Sequence, residues 1–498
     1  MPPAERPLLS LCLIVRDEAE RIGRCLDAAL PIADEVVVVD TGSTDGTAAI
    51  AEAKGARVVP FVWIDDFAAA RNAALDAARG DWILMLDADE VLERPRRERL
   101  RKLLAEAREP AFTVEIVSPR GAGRMETARI ARLFRRDPRH RYEGRIHESV
   151  LGSICRALGR ETISPEASGL RARHEGYTPE MTAARGKEER NRRLLLAEIE
   201  DKPDDPGPRF LFARENTPAA GGDVLDLPLA RQALAIVAPA ADELLRREGW
   251  AIVEPAVALA ARLASACGQS ERASGWLAAL RRRAPSSARG AYAAGESAFV
   301  GAAAIQDAGE TTRPTGAADA AAARATGAAD ATRTAGEERF AEAASDFRRA
   351  RQGRDLCTSA PSERELRDEW APAREALALL FSGKPAAAER LAHRAGVEPR
   401  LVEATLAARR GEPAAALGAA LGAVKAEAQD PRGWLALALV FAALGETARS
   451  AEAADKALAA APGWSAAEAV RAGEIDDARL PVPLAALRLA LRTAAPRP

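Results

Sequence analysis

Residues 35–40 read EVVVVD, four consecutive valines closed by a carboxylate. A run of β-branched residues with no polar alternation defines a strand buried on both faces, as in a parallel sheet covered by helices on either side. Residues 9–15, LSLCLIV, form a second such strand with Ser10 as its one polar side chain, and residues 84–90, LMLDADE, form a third apolar run that ends in Asp87 and Asp89. Helices are predicted after them over residues 22–29, 45–54 and 66–78, the second capped by Thr44 or Asp45. Strands alternating with helices predict a doubly wound α/β domain. Ligands bind such sheets beyond the carboxyl ends of the strands, where Arg16, Asp40 and Asp87 all fall.

Strand alternation would send Asp87 and Asp89 to the same side, with Ala88 between them leaving room. Two converging carboxylates at a sheet edge suit a divalent cation carrying a diphosphate. A solvent-exposed strand end is the plain alternative for the pair, and a surface cation is the plain alternative for Arg71 in the helix before it.

Three ordered segments carry a resemblance: VRDEAERIGRCL at 15–26, VVVVDTGSTDGT at 36–47 and ARNAALDAARGDWILMLDADE at 70–90. Together they resemble the nucleotide-binding half of a family 2 glycosyltransferase with the GT-A fold, over about the first third of the chain. Several motifs in order are far more specific than a lone DxD. Asp17 stands where relatives commonly carry Asn. The resemblance implies a nucleotide-sugar donor, a UDP-sugar by preference, bound by Val15, Arg16, Asp17, Glu18, Asp40, Gly42, Arg71, Asp87 and Ala88. Asp40 would accept hydrogen bonds from the uracil or an equivalent base, Arg71 would lie near the nucleotide or its phosphates, and Asp87 would face the ribose and the metal. Asp89 would hold Mn²⁺ or Mg²⁺, which would stabilise the departing nucleoside diphosphate. The resemblance also implies inversion at the sugar carbon.

Downstream, residues 128–134 (ARIARLF) predict a strand, followed by RRDPRHRYEGRIHESV. Similar transferases have an arginine-rich strand, then a His-Glu pair, then a lone histidine. Glu148 is the candidate general base and Asp137 the second choice. His147 or His174 would complete the metal shell or touch the diphosphate, the alternative being structural or surface histidines. His140 reads as a surface residue. The arginines between Arg132 and Arg141 suit an anionic donor or acceptor or an ordinary basic surface, and those between Arg96 and Lys102 have the spacing of a solvated helix face.

With 498 residues and a formal net charge of -2, the chain has room for two or three domains and no global field that favours nucleic acid or a membrane surface. Five cysteines are scattered without CxxC spacing, so no disulfide framework or zinc site is expected, and Cys12 reads as a small hydrophobe. No apolar segment approaches a bilayer span and the start lacks a signal pattern, so a cytoplasmic protein without a membrane span is expected.

The expected organisation is a GT-A domain over 1–178, a connecting helix and linker over 179–208, and a helical domain over 209–300. A low-complexity flexible insertion over 301–338 and tetratricopeptide-like repeats over 339–498 would follow. Trp434, Gly445, Ala457 and Pro462 stand at repeat offsets, with Phe441 and Ala454 at packing positions, and Gly411 precedes Gly445 by 34 residues. Such stacks present a concave surface to a peptide or protein, or serve to form a homo-oligomer or brace a neighbouring domain. Family 2 domains fused to such repeats resemble bacterial enzymes that glycosylate peptides or proteins on sulfur or hydroxyl. Similar motifs also occur in transferases of lipopolysaccharide core and other envelope glycans, and a scaffold with an inactive transferase domain is a third reading. The QxxRW motif and membrane helices of processive synthases do not occur in the sequence, which favours transfer of one sugar.

Overall fold

The computed structural model describes residues 6–120, 124–160, 163–175, 187–216, 219–220, 223–224, 227–246, 253–284, 287, 289–299, 328–352, 371–392, 397–461, 464–473 and 480–494. It contains two compact units, Met1–Pro203 and Asp204–Pro498. In the first, β1 (Leu9–Val15), α1 (Ala19–Ala29), β2 (Glu35–Asp40), α2 (Thr47–Ala53), β3 (Arg57–Pro60), α3 (Phe67–Ala77), β4 (Trp82–Met85), β5 (Glu90–Leu92) and α4 (Arg97–Glu106) come in order. They are followed by β6 (Ala111–Arg120), β7 (Arg124–Arg135), α5 (Leu151–Leu158), β8 (Glu166–His174) and α6 (Lys187–Asp201). The eight strands form one sheet in the order β3-β2-β1-β4-β7-β6-β8-β5. β3, β2, β1 and β4 run parallel, and β7 joins β4 antiparallel.

The valine run behaves as its composition requires. Val36 and Val38 enter the core shared with Ile22, Leu26 and Ala29 of α1 and with Leu100 and Leu104 of α4. Val37 and Val39 enter the opposite core with Ala74 and Leu75 of α3 and Ile154 of α5. Both faces of β2 are therefore covered, which is the parallel-sheet arrangement.

Ser10, the polar exception in β1, is buried for a reason. Its hydroxyl donates to Glu35 Oε2 at 2.6 Å and accepts the Gly80 N–H at 2.8 Å. Glu35 also accepts the Arg79 backbone N–H and guanidinium, each at 2.8 Å, and Arg57 at 3.2 Å. Burial pushes the Glu35 carboxyl up, but the Ser10, Arg79 and Arg57 donors outweigh it and hold its pKa at about 2. A depressed carboxylate stabilises the fold fully above its unfolded pKa, near 4.5, and this contribution is lost as pH falls toward 2. Glu35→Gln is expected to cost about 1–3 kcal/mol at pH 7. Chemical denaturation at several pH values should show a shallower loss of stability between pH 4.5 and pH 2 in the variant than in the wild type.

Three local expectations change. α2 begins after Gly46, whose φ of 89° suits glycine, and Asp45 acts from outside by accepting the Thr47 N–H at 3.0 Å. β4 stops at Met85, so Asp87 and Asp89 lie on a turn closed by the Glu90 N–H on the Asp87 carbonyl at 3.0 Å. Strand alternation therefore does not place the two carboxylates side by side. Finally, α6 is part of the first unit and not a connector. Its Arg193 forks onto Asp65 at 2.5 and 2.8 Å, and its Asp201 accepts Arg145 Nε at 2.7 Å.

The second unit is helical. Helices starting at Val397, Pro431 and Ser465 are spaced 34 residues apart, the tetratricopeptide period. Each of the first two pairs turns at a glycine with positive φ, Gly411 at 73° and Gly445 at 76°. A Cβ on Gly433 would come within 3.2 Å of the Val424 backbone N, so small residues set the approach between successive pairs. Ala454 and Ala457 are fully buried, while Pro462 lies outside the described residues. The expected break between a helical domain and the repeats is bridged: in the helix over 289–299, Ala293 and Ala294 join the earlier core, and Tyr292 and Phe299 join the later one. Of the expected flexible insertion, 301–327 lies outside the described residues, and from Ala328 onward the chain is the helix Ala328–Gln352.

Candidate functional site

At the carboxyl ends of β1 and β2, two loops are knitted together by side chains onto backbone. Asp17, at φ 53°, accepts the Thr44 N–H at 2.7 Å, and Ser43 Oγ accepts the Asp17 N–H at 3.0 Å. Thr47 Oγ1 accepts the Glu18 N–H at 2.8 Å, and Asp45 accepts the Ala19 N–H at 3.0 Å. Asp40 Oδ1 accepts the N–H groups of Gly42 and Ser43 at 2.9 and 2.7 Å, and Gly42 has a φ of 105°. These bonds fix Val15, Arg16, Asp17, Glu18, Asp40 and Gly42 as one rim. Arg16 is exposed, whereas Glu18 is drawn inward by Arg21 at 2.8 Å.

The β4 edge is built from charge. Asp87 is gripped on one oxygen by Arg71 Nη2 at 2.9 Å and on the other by Arg132 Nη2 at 2.6 Å. Arg71 Nε reaches across to Glu148 at 2.5 Å, and Arg132 also pairs with Glu90 at 3.1 Å. Glu90 in turn accepts the Asp87 N–H at 2.9 Å. Burial opposes ionisation of Asp87, but Arg132 and Arg71 together hold it well below the usual carboxylate range. Burial dominates at Glu90 and lifts it to about 7 despite Arg132. The face of Tyr142 packs under the Arg71 guanidinium, 5.5 Å from the ring centroid, and burial raises its phenol to about 12. Arg71 Nη1, Arg132 Nε and the Tyr142 hydroxyl are buried without a hydrogen-bond partner among the described residues. Such groups suit an oxygen-rich ligand.

Asp89 faces elsewhere. Its Oδ2 meets His174 Nε2 at 3.1 Å, and Ser118 Oγ lies 3.2 Å from His174 Nδ1. Burial lowers the His174 pKa, but Asp89 more than compensates and raises it. Ala88 turns its methyl into the core, so its backbone alone can meet a ligand. His147 is exposed at φ 55°, beside the half-buried Glu148.

Asp137 lies away from the Asp87 turn. Arg135 pairs with Trp82 at the start of β4, and the Arg136 N–H donates to the Asp81 carbonyl at 2.9 Å. The chain thus leaves β7 at the edge opposite Asp87, and Asp137 is occupied by Arg139 at 2.7 and 3.0 Å. His140, expected at the surface, is buried with Nδ1 2.8 Å from the Arg135 carbonyl oxygen. Glu90, Tyr142 and Ser118 also lie in this cluster although the motifs did not assign them there, and Arg132 comes from the arginine-rich stretch expected to suit an anionic ligand. The available signal was weak: Glu90 directly follows the Asp87–Asp89 pair, and Arg132 is one of several arginines in β7.

Among the described residues no cluster of three or more His, Cys, Asp or Glu side chains is arranged around a metal position. The donor set of Asp89 and His174 nevertheless fits Mn²⁺ or Mg²⁺, because such ions take one or two protein ligands and complete their shell with substrate phosphates and water. No helix among the described residues is long and apolar enough to cross a membrane.

A mostly parallel sheet with loops and carboxylates gathered at its strand ends defines an α/β domain of the kind whose ligands bind beyond those ends. Residues 10–163 match the family model described as glycosyl transferase family 2. A TPR repeat-containing protein of Synechococcus elongatus is 42% identical over 200 residues, covering 40% of this chain and 49% of the relative. The SPbeta prophage-derived glycosyltransferase SunS of Bacillus subtilis is 27% identical over 218 residues, 43% of this chain and 50% of the relative. The chain thus spans about half the length of these curated relatives. Among solved structures, S. aureus TarS 1-349 in complex with UDP-GlcNAc aligns over 55% of this chain and 91% of that one, at 17% identity and a TM-score of 0.35. Residues 10–163 thus form a family 2 glycosyltransferase domain, followed in the second unit by tetratricopeptide-like helical repeats.

Proposed function

We propose that the first unit is an inverting, metal-dependent glycosyltransferase that moves one sugar from a nucleotide sugar, a UDP-sugar by preference, to a peptide or protein held by the helical repeats. The observation that carries this reading is Arg71, which joins the Asp87 turn to the Glu148 loop at 2.9 and 2.5 Å. This contact supports reading the donor motif and the candidate base as parts of one site. Glu148 takes the proton from the acceptor as its oxygen or sulfur attacks the sugar carbon, while the bond to the diphosphate breaks on the opposite face. Asp89 and His174 would hold Mn²⁺ or Mg²⁺, which supplies charge stabilisation to the leaving diphosphate. Asp40, already anchored to the Gly42 and Ser43 amides, has its second oxygen available in kind for the base of the nucleotide.

The polypeptide acceptor is supported by the tetratricopeptide spacing, since these stacks recognise extended segments on their concave side. An envelope glycan remains the alternative acceptor, with the same donor chemistry. Glu148→Gln is expected to lower kcat by about 10²–10⁴-fold while leaving donor affinity by calorimetry within about threefold. Asp137→Asn should keep near-wild-type kcat. The reverse pattern would move the base away from Glu148.

A further inference from the structure

We propose that Glu198, on α6 and outside the segment matched to the family, is the positioning residue that holds the loop presenting His147 and Glu148. The proposal rests on the transferase reading above for its catalytic consequence, though the loop placement stands on geometry alone.

The loop is a tight hairpin. Glu143 and Ser149 exchange backbone hydrogen bonds at 3.1 and 3.0 Å, and the five residues between them include Gly144 at φ 102° and His147 at φ 55°. Two left-handed positions in so short a loop need external restraint, because a non-glycine residue with positive φ costs about 1 kcal/mol or more. The restraint comes from both sides of Arg145. Its carbonyl accepts the Phe67 N–H at 2.9 Å, the first amide of α3, and one turn along α3 Arg71 grips Glu148. Its own N–H donates to Glu198 Oε2 at 2.9 Å.

Glu198 occupies a core position. Leu194 and Leu195 on the same face of α6 are fully buried, and Glu198 is 4% exposed. A carboxylate in such a stripe must be paired to be tolerated. Here Oε2 takes the Arg145 N–H and Oε1 takes Lys202 Nζ at 2.9 Å. A Cβ on Gly144 would lie 3.2 Å from the Ile146 carbonyl oxygen and 3.6 Å from Glu198 Oε1, so the carboxylate lies directly against the hairpin. A charge-assisted bond to a backbone amide is among the stronger neutral–ionic contacts available. Without it the hairpin can shift by the order of an ångström, enough to cost about 10²-fold in rate.

The test compares wild type, Glu198→Ala, Glu198→Gln and Glu198→Asp by amide hydrogen exchange over residues 143–149 and by turnover with a UDP-sugar. Glu198→Ala should speed exchange of the Arg145 amide by at least about tenfold and lower kcat by about 10–100-fold, with the donor KM within about threefold. Glu198→Gln, which keeps an acceptor oxygen, should recover most of both. Exchange at the wild-type rate in all three variants would overturn the placement. Equal losses in Ala and Gln that track a global drop in Tm would also overturn it, since Glu198 would then be a general core residue. Wild-type protein without turnover would refute the transferase reading and leave the exchange rates to decide the placement.

Discussion

Arg132→Met is expected to destabilise the first unit by about 3–5 kcal/mol, the cost of removing one partner from a buried ion pair. Arg132 is 8% exposed and bonds two carboxyl groups at once, Asp87 at 2.6 Å and Glu90 at 3.1 Å. Asp87 keeps Arg71, but Glu90, 2% exposed, loses its guanidinium partner. The double variant Arg132→Met/Glu90→Met should recover at least half of the lost stability, because apolar side chains of similar volume replace buried pairs at little cost. Urea denaturation of the three proteins measures this directly. The double variant should still be inactive, since Asp87 is then held from one side only. Stability without activity separates the structural work of the cluster from its chemical work.

Asp89→Ala is expected to reduce nucleotide-sugar turnover by about 10²–10³-fold, the scale of losing one preorganised electrostatic contact to a developing anion. Asp89 has little structural duty: its side chain is 22% exposed and meets His174 at 3.1 Å. Its loss should therefore leave Tm within a few degrees of wild type. Turnover at saturating Mn²⁺ and Mg²⁺, with calorimetry of the metal in the presence of UDP, distinguishes loss of metal from loss of nucleotide. Unchanged turnover would remove Asp89 from the site.

The α/β sheet was legible because its strands are nearly pure. The alternating entry of Val36 to Val39 into two cores follows from composition. The rim at Asp17, Asp40 and Gly42 was legible as motif. The relation between Asp87 and Asp89 was not, because the turn at residues 86–89 replaces the strand geometry on which same-side convergence depends, and one carboxylate turns to arginine while the other turns to histidine. The twofold use of Arg71 was hidden for a different reason: its partners are 16 and 77 residues away, and such distances carry no periodic signal. Asp137 illustrates the converse. Named as the second choice of base, it is carried to the opposite edge by the antiparallel register of β7 on β4. Likewise α6 was expected as part of a connecting helix and linker over 179–208, whereas Arg193, Glu198 and Asp201 all bind to other parts of the first unit.

The most direct measurement incubates the 498-residue chain with a panel of nucleotide sugars, with and without Mn²⁺ or Mg²⁺, and follows release of the nucleoside diphosphate. Release of UDP that requires the divalent ion and is lost in Asp89→Ala is the expected result. No release from any donor, together with no binding of any nucleotide, would contradict a glycosyltransferase at this site.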